Sequence, residues 1–198
     1  MDKITIDTYN KSAADYENET KDFWDKFPST IIDHFEKSCK KGKVLDIGSG
    51  PGRDALLLKA RGFDVVCLDA SDKMVELCKQ KDLEAVVGDY MHIPFSEASF
   101  DGVWAYTSLL HIAKKDLDKA LIEIKRVLKP GGIFGLGMIE GEQELYRHSS
   151  GIHLPRYFAF YTEKELEEIL RRHGFKMIYF ETFKPASRRY LNYICQLV

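Results

Sequence analysis

The chain has 198 residues, 44% hydrophobic, 12% aromatic and 30% charged, with a formal net charge of −2. Domains run roughly 100 to 200 residues, so the expectation is one compact domain with ample apolar material for a core. The near-neutral charge is spread evenly and leaves no electrostatic footprint for nucleic acid, and the scattered cysteines Cys39, Cys67, Cys78 and Cys195 form no zinc framework. The opening residues are acidic and polar, without a basic-then-apolar leader, and no run approaches the ~18 apolar residues of a membrane span. A cytoplasmic protein with no membrane partner is therefore expected.

From the N-terminus, Ser12 to Asp15 has capping-box spacing, and Phe23, Trp24, Phe27, Ile31, Ile32 and Phe35 recur near the helical period. Pro28 divides this stretch into one helix up to about Lys26 and another from Pro28 to about Ser38. Short apolar runs then alternate with helical patterns, as βαβ units do. Strands are expected at Val44 to Ile47, Asp64 to Leu68, Ala85 to Val87, Gly102 to Tyr106 and Ile133 to Ile139. The intervening helices run from Pro51 or Gly52 to Arg61, from a Ser71 cap, and along a face bearing Leu117, Leu121, Ile124 and Leu128, after which Pro130-Gly131 makes a sharp turn.

Glu140 to Tyr161 is rich in Gly, Ser, His and Arg and too long for a plain connector, so it reads as a binding insertion. A capping box at Thr162 to Glu165 opens a helix that Gly174 stops. The last two runs, Phe175 to Phe183 and Leu191 to Leu197, have no helix between them and should pair as an antiparallel hairpin. Lys184, Arg188 and Arg189 form the most basic stretch and read as a solvated edge.

The strongest local signal is Val44-Leu45-Asp46-Ile47-Gly48-Ser49-Gly50-Pro51-Gly52, a strand that ends in an acid and a glycine-rich turn before a helix. Bare backbone and unpaired helical N–H groups at such a turn suit a nucleotide-like ligand at the strands' carboxyl ends. Arg53 stands where the dinucleotide fingerprint needs glycine, and Pro51 removes an N–H, which disfavours a pyrophosphate. Asp69 closes the second strand, where a carboxylate can accept both ribose hydroxyls. Asp89, in Gly88-Asp89-Tyr90, can accept from an adenine amino group.

With these acids at successive strand ends, Lys43 to Ile139 resembles the class I S-adenosylmethionine-dependent methyltransferases, in particular the small single-domain branch of ubiquinone-biosynthesis and tellurite-type enzymes. Phe100 to Tyr106, Ser108 to His111 and the Leu128-Lys129-Pro130-Gly131-Gly132 turn fit the same pattern. The resemblance implies a doubly wound, Rossmann-like α/β sheet of order 3-2-1-4-5-7-6, with N-terminal helices (1–42) over a cofactor core (43–139), a substrate-side insertion (140–161) and a closing helix and hairpin (162–198). It further implies S-adenosylmethionine as cofactor and S-adenosylhomocysteine as product. Asp46, Gly48, Gly50 and Gly52 would hold the methionine part, Asp69 and Ala70 the ribose, and Asp89 the adenine. Met74, Tyr90, Met91 and Tyr106 would complete the pocket. An N-terminal tyrosine closes over the cofactor in relatives, and of Tyr9 and Tyr16 the choice is Tyr16.

Methyl transfer is an in-line displacement, in which positioning supplies about 7 to 11 kcal/mol and a general base roughly 10²- to 10⁴-fold. His111, just beyond the fourth strand, is the candidate base, and could equally cap a helix or pack in the core. Tyr106 points at the sulfonium or fills the wall. His148, His153, Arg156 and Tyr161, in the insertion, suit an anionic or polar acceptor alongside His111, or belong to a solvated loop. Phe23 and Trp24 line the acceptor pocket or belong to the core. The leading expectation is an enzyme, monomer or homodimer, that methylates a small molecule and needs no metal. The alternatives are an RNA or protein methyltransferase and a non-catalytic regulator that binds the same cofactor.

Overall fold

The computed structural model describes residues 2–148, 152–185 and 187–198. The N-terminal segment forms α1 (Lys3–Lys11), α2 (Ala13–Thr20), α3 (Phe23–Lys26) and α4 (Thr30–Cys39). The single helix expected up to Lys26 is thus broken into shorter pieces. At Ser12 the backbone leaves the helical region, and its hydroxyl turns back to donate to the Thr8 carbonyl at 2.6 Å, so the expected box with Asp15 is not made. Asp2 makes the effective cap one helix earlier, accepting from the Thr5 N–H at 2.8 Å.

The alternating region follows as β1 (Lys43–Ile47), α5 (Arg53–Ala60), β2 (Asp64–Asp69), α6 (Asp72–Lys79), β3 (Glu84–Val87) and β4 (Phe100–Tyr106). Short 3₁₀ turns at Leu109–His111 and Lys114–Asp116 lead to α7 (Leu117–Val127) and β5 (Leu128–Ile139). Then come β6 (Glu144–Arg147), β7 (Arg156–Ala159), α8 (Glu163–Arg172), β8 (Phe175–Phe183) and β9 (Tyr190–Leu197). The main sheet has seven strands in the order β3-β2-β1-β4-β5-β9-β8. Strands β3 to β5 are parallel and β9 runs antiparallel to both neighbours. Apart from the two strands of the insertion, this is the expected topology.

Successive side chains in a strand face opposite ways, so a parallel sheet covered by helices needs apolar residues on both faces. On β1, Val44 joins a cluster with Phe35 of α4 and Leu58 of α5, whereas Leu45 and Ile47 join Leu121 and Ile124 of α7 on the other face. Two glycines of β5 make room for aromatics of β4: a Cβ on Gly135 would lie 2.4 Å from the Trp104 ring, and one on Gly137 2.4 Å from that of Tyr106. Those aromatics stack with centroids 5.8 Å apart and point toward the site.

Several boundaries differ from the sequence reading. Leu128 belongs to β5 and not to the preceding helix, and Pro130-Gly131 lies inside that strand as a bulge, with the register to β4 shifting between Phe100 and Gly102. Gly131 absorbs the bulge at φ 76°. The Glu140 to Tyr161 insertion contains the hairpin β6-β7, whose short strands carry mixed polar and aromatic residues that hide their period; its residues 149–151 lie outside the described ones. The capping box at Thr162 is formed as expected, with Glu165 as its partner.

Candidate functional site

The carboxyl ends of β1, β2 and β4 border one cavity, where the order of the strands reverses beside β1. In open α/β sheets ligands bind at that crevice. Its floor is the turn after β1, where Gly48, Gly50 and Gly52 all adopt positive φ. Gly50 faces the cavity, its nearest neighbour being the Tyr16 ring at 3.5 Å from a notional Cβ. Gly52 instead abuts Leu83 and Cys78, so it shapes the turn without facing a ligand.

Asp69 is 8% exposed at the tip of β2. One of its oxygens accepts from the Gly50 N–H and the other from the Ser71 N–H, each at 2.8 Å. The Ala70 N–H is a third backbone donor, so of the carboxylate's roughly four acceptor directions about one is left for a ligand hydroxyl. Burial lifts its pKa to about 6, against the pull of these backbone donors. Asp46 is 2% exposed, and its Oδ2 has no hydrogen-bond partner among the described residues. Burial, then the neighbouring Asp54, pushes the Asp46 carboxyl well above its ordinary range.

The sequence reading missed Asp54 as a site residue. Its carboxylate accepts from the Trp24 indole at 2.7 Å, the Trp104 indole at 3.0 Å and the Arg53 Nε at 2.6 Å. Held there, the Arg53 guanidinium lies 4.6 Å from the Phe23 ring centre and 5.6 Å from that of Trp24. One carboxylate thereby ties α3 to the sheet and sets a guanidinium at the cavity wall. An Arg-Asp pair directly after a glycine turn was the available signal, whereas the two indoles come from distant parts of the chain.

Tyr9 and Tyr16 both close the cavity, edge to face at 5.2 Å. The Tyr9 hydroxyl is 2.8 Å from His111 Nε2, and His111 Nδ1 is 2.6 Å from the Tyr157 carbonyl. A carbonyl only accepts, so Nδ1 carries the proton, Nε2 is the acceptor and Tyr9 donates to it. Arg156 in turn donates to the Tyr9 oxygen at 3.1 Å. Burial, aided by the Arg156 charge, lowers the His111 pKa to about 4, so the ring is neutral at neutral pH. His111 therefore meets the N-terminal helix through Tyr9, the tyrosine passed over in the sequence reading.

Of the sequence-stated candidates, the structure gathers Tyr16, Asp46, Gly48, Gly50, Asp69, Met74, Tyr90, Tyr106 and His111 around this one cavity. Asp89 accepts from the Met91 N–H at 3.0 Å and steadies the turn behind Tyr90, outside the lining. Ala70 lies between Asp69 and the α6 cap, also outside it, and Met91 borders a separate hollow beside Asp2 and Tyr146. His148 and His153 are exposed and contact each other, the His148 ring lying 2.6 Å from the His153 carbonyl. Tyr161 is 1% exposed in the core with the Lys114 ammonium over its ring, which rules it out as an open acceptor contact. Phe23, Arg156 and Arg188 line an adjoining cavity, so Arg188 is no solvated edge, while Arg189 pairs with Glu140 and Glu163. Among the described residues no group of His, Cys, Asp and Glu could hold a metal, and no helix is long and apolar enough to cross a membrane.

Comparison with known proteins agrees with this geometry. Residues 45–136 match the family model described as a methyltransferase domain. The biotin biosynthesis bifunctional protein of Cellvibrio japonicus is 26% identical over 196 residues, which is 94% of this chain and 37% of that protein. The demethylmenaquinone methyltransferase of Renibacterium salmoninarum is 37% identical over 92 residues, 46% of this chain and 38% of that enzyme. The chain thus spans less than two fifths of either relative's length. In fold it is similar to the Burkholderia thailandensis 1,6-didemethyltoxoflavin-N1-methyltransferase, solved with its substrate and S-adenosylhomocysteine: the TM-score is 0.74 at 21% identity, over 96% of this chain and 88% of that one. Residues 45–136, just under half of the chain, thus match a methyltransferase domain, and the fold is similar to that of a solved methyltransferase bound to S-adenosylhomocysteine.

Proposed function

We propose that the chain binds S-adenosylmethionine in the cavity at the strand tips and transfers its methyl group to a small-molecule acceptor. The observation that carries this reading is Asp69, a buried carboxylate at the tip of β2 that borders the cavity and keeps acceptor capacity beyond its backbone donors, suited to a ribose hydroxyl. The unpartnered Asp46 oxygen, in the same cavity, suits the ammonium of the methionine part. Asp46, Asp54 and Asp69 outnumber Arg53 around or against the wall, and a cationic ligand is at home there.

When bound, the cofactor supplies an electrophilic methyl group. This chain's residues contribute position and shielding: Gly50 allows backbone approach, Met74 and Tyr90 wall the cavity, and Tyr106 sits at the end of β4 beneath the reacting centre. Tyr16 and Tyr9 cover the opening and exclude water. The acceptor's reacting atom must come within about 3 to 3.5 Å of the methyl carbon and in line with it. His111, neutral and with Nε2 as acceptor, can take the acceptor's proton through the Tyr9 hydroxyl or once that hydroxyl turns aside.

Calorimetric titration with S-adenosylhomocysteine tests the reading. The chain should bind it, and Asp69→Asn should weaken binding by on the order of 1 to 3 kcal/mol, the worth of a lost charged hydrogen bond. No affinity in the unaltered chain, or unchanged affinity in the variant, overturns the assignment of this cavity.

A further inference from the structure

The second cavity shares Tyr9, Tyr16, Arg53, Thr107 and His111 with the first but has the opposite electrostatic character. Among the described residues three guanidinium groups line it, those of Arg53, Arg156 and Arg188, against the single carboxylate of Glu19. Asp54 offsets Arg53. Arg156 has no such offset. It is 7% exposed, and among the described residues no carboxylate lies within ion-pair distance of it.

Its surroundings are aromatic: the guanidinium lies 5.4 Å from the Tyr9 ring centre, 5.9 Å from that of Tyr16 and 5.4 Å from that of Phe158. Cation–π contacts return roughly 0.5 to 2 kcal/mol each, while withdrawing an ion from water costs several kcal/mol. Arginine does not escape this cost by losing its proton. One nitrogen donates to Tyr9, and Nε has no hydrogen-bond partner among the described residues. The side chain is therefore a buried cation with part of its donor fork unused, next to a cavity.

We infer that the acceptor carries an oxyanion, carboxylate or phosphate, on an aromatic or apolar body, and that Arg156 anchors the oxyanion. This rests on the reading of the first cavity as the adenosyl site. A planar oxyanion matches the parallel donors of a guanidinium edge and supplies the missing negative charge. Phe23, Phe27 and Tyr190 provide the wall for the body. The two halves of the site are then complementary to their occupants: carboxylates around a cationic cofactor, guanidiniums around an anionic acceptor. Arg156 borders only the second cavity, while Asp46, Gly50, Asp69 and Met74 border only the first, and this separates the acceptor's anion from the cofactor's own carboxylate.

The test uses the full chain saturated with S-adenosylhomocysteine, titrated with phenylacetate, phenyl phosphate and neutral phenylacetamide and followed by NMR. At least one acid should bind, phenylacetamide should not, and which acid binds separates carboxylate from phosphate recognition. Arg156→Gln should weaken the acid by on the order of tenfold to a hundredfold and leave S-adenosylhomocysteine affinity unchanged. Arg188→Gln, at the cavity's other guanidinium, gives a second variant should Arg156→Gln fail to fold, and should weaken the acid alone. The inference is overturned if phenylacetamide binds as well as the acids, if neither acid binds at millimolar concentration, or if Arg156→Gln loses the cofactor product and keeps the acid. If the unaltered chain does not bind S-adenosylhomocysteine, the first cavity's assignment fails instead, and titrating the acids into unliganded protein still decides the anion site.

Discussion

At the scale of single residues, two buried titrating groups, shifted in opposite directions, make the site sensitive to pH. Asp69 has its pKa raised from 3.8 to about 6, so the native chain holds a proton there that the unfolded chain has released. Hydroxyls donate to the ionised form, so ligand binding should expel that proton. Affinity for S-adenosylhomocysteine should accordingly rise with pH through about 6 and flatten above it, as calorimetry across the acid range would read. His111 is lowered from 6.5 to about 4, so in that window the unfolded chain binds the extra proton. Its neutral ring favours the fold above pH 6.5, and that contribution is lost as pH falls toward 4. His111→Gln should flatten this part of the pH dependence of urea unfolding; an unchanged slope would remove the role of the neutral imidazole. Asp46 and Asp69 were legible as site residues because strand patterns end on them. Tyr9 was not, since two tyrosines on adjoining helical turns look alike until the loop bearing His111 is placed.

At the scale of elements, the helix and strand signals held where one short-range force dominated. The Thr162 box and the Ser71 cap are both made, because a cap needs only residues three positions apart. The Ser12 box failed on the same spacing because the Thr8 carbonyl, left by the end of α1, competes for the hydroxyl. The Gly-x-Gly step in β5 carried no hint of its purpose, which depends on the parallel register that sets Trp104 beside Gly135 and Tyr106 beside Gly137. Gly137→Ala should force the Tyr106 ring aside, cost about 1 to 3 kcal/mol in overpacking and lower cofactor-product affinity. Gly131→Ala makes the contrast: it lies at φ 76° with only the Gln196 side chain in ordinary contact, 3.8 Å from a notional Cβ, so chemical denaturation should show a stability loss without a loss of binding.

At the scale of the whole molecule, the N-terminal helices are fastened at separate points. Thr8 donates to the Pro155 carbonyl, Thr5 accepts from the Tyr157 N–H, Asn10 accepts from the Ser71 hydroxyl, and Asp54 grips the indole of Trp24. These contacts bring the insertion, the α6 cap and the glycine turn together around the cavity. Asp54→Ala would strand Arg53 and two indole donors in a buried place and should cost about 3 to 5 kcal/mol of stability by urea unfolding. The alternation of apolar runs with helical periods was enough for the order of the sheet, and strand-end acids for one half of the site, because both depend on neighbours a few residues apart. Arg156 was already legible as an acceptor contact from the composition of the insertion, but the basic half, where it meets Arg188 from the last connection and Tyr9 from the first helix, exists only once the chain has closed on itself. Its charge balance is a sum over residues far apart in the chain, and local spacing carries no trace of such a sum.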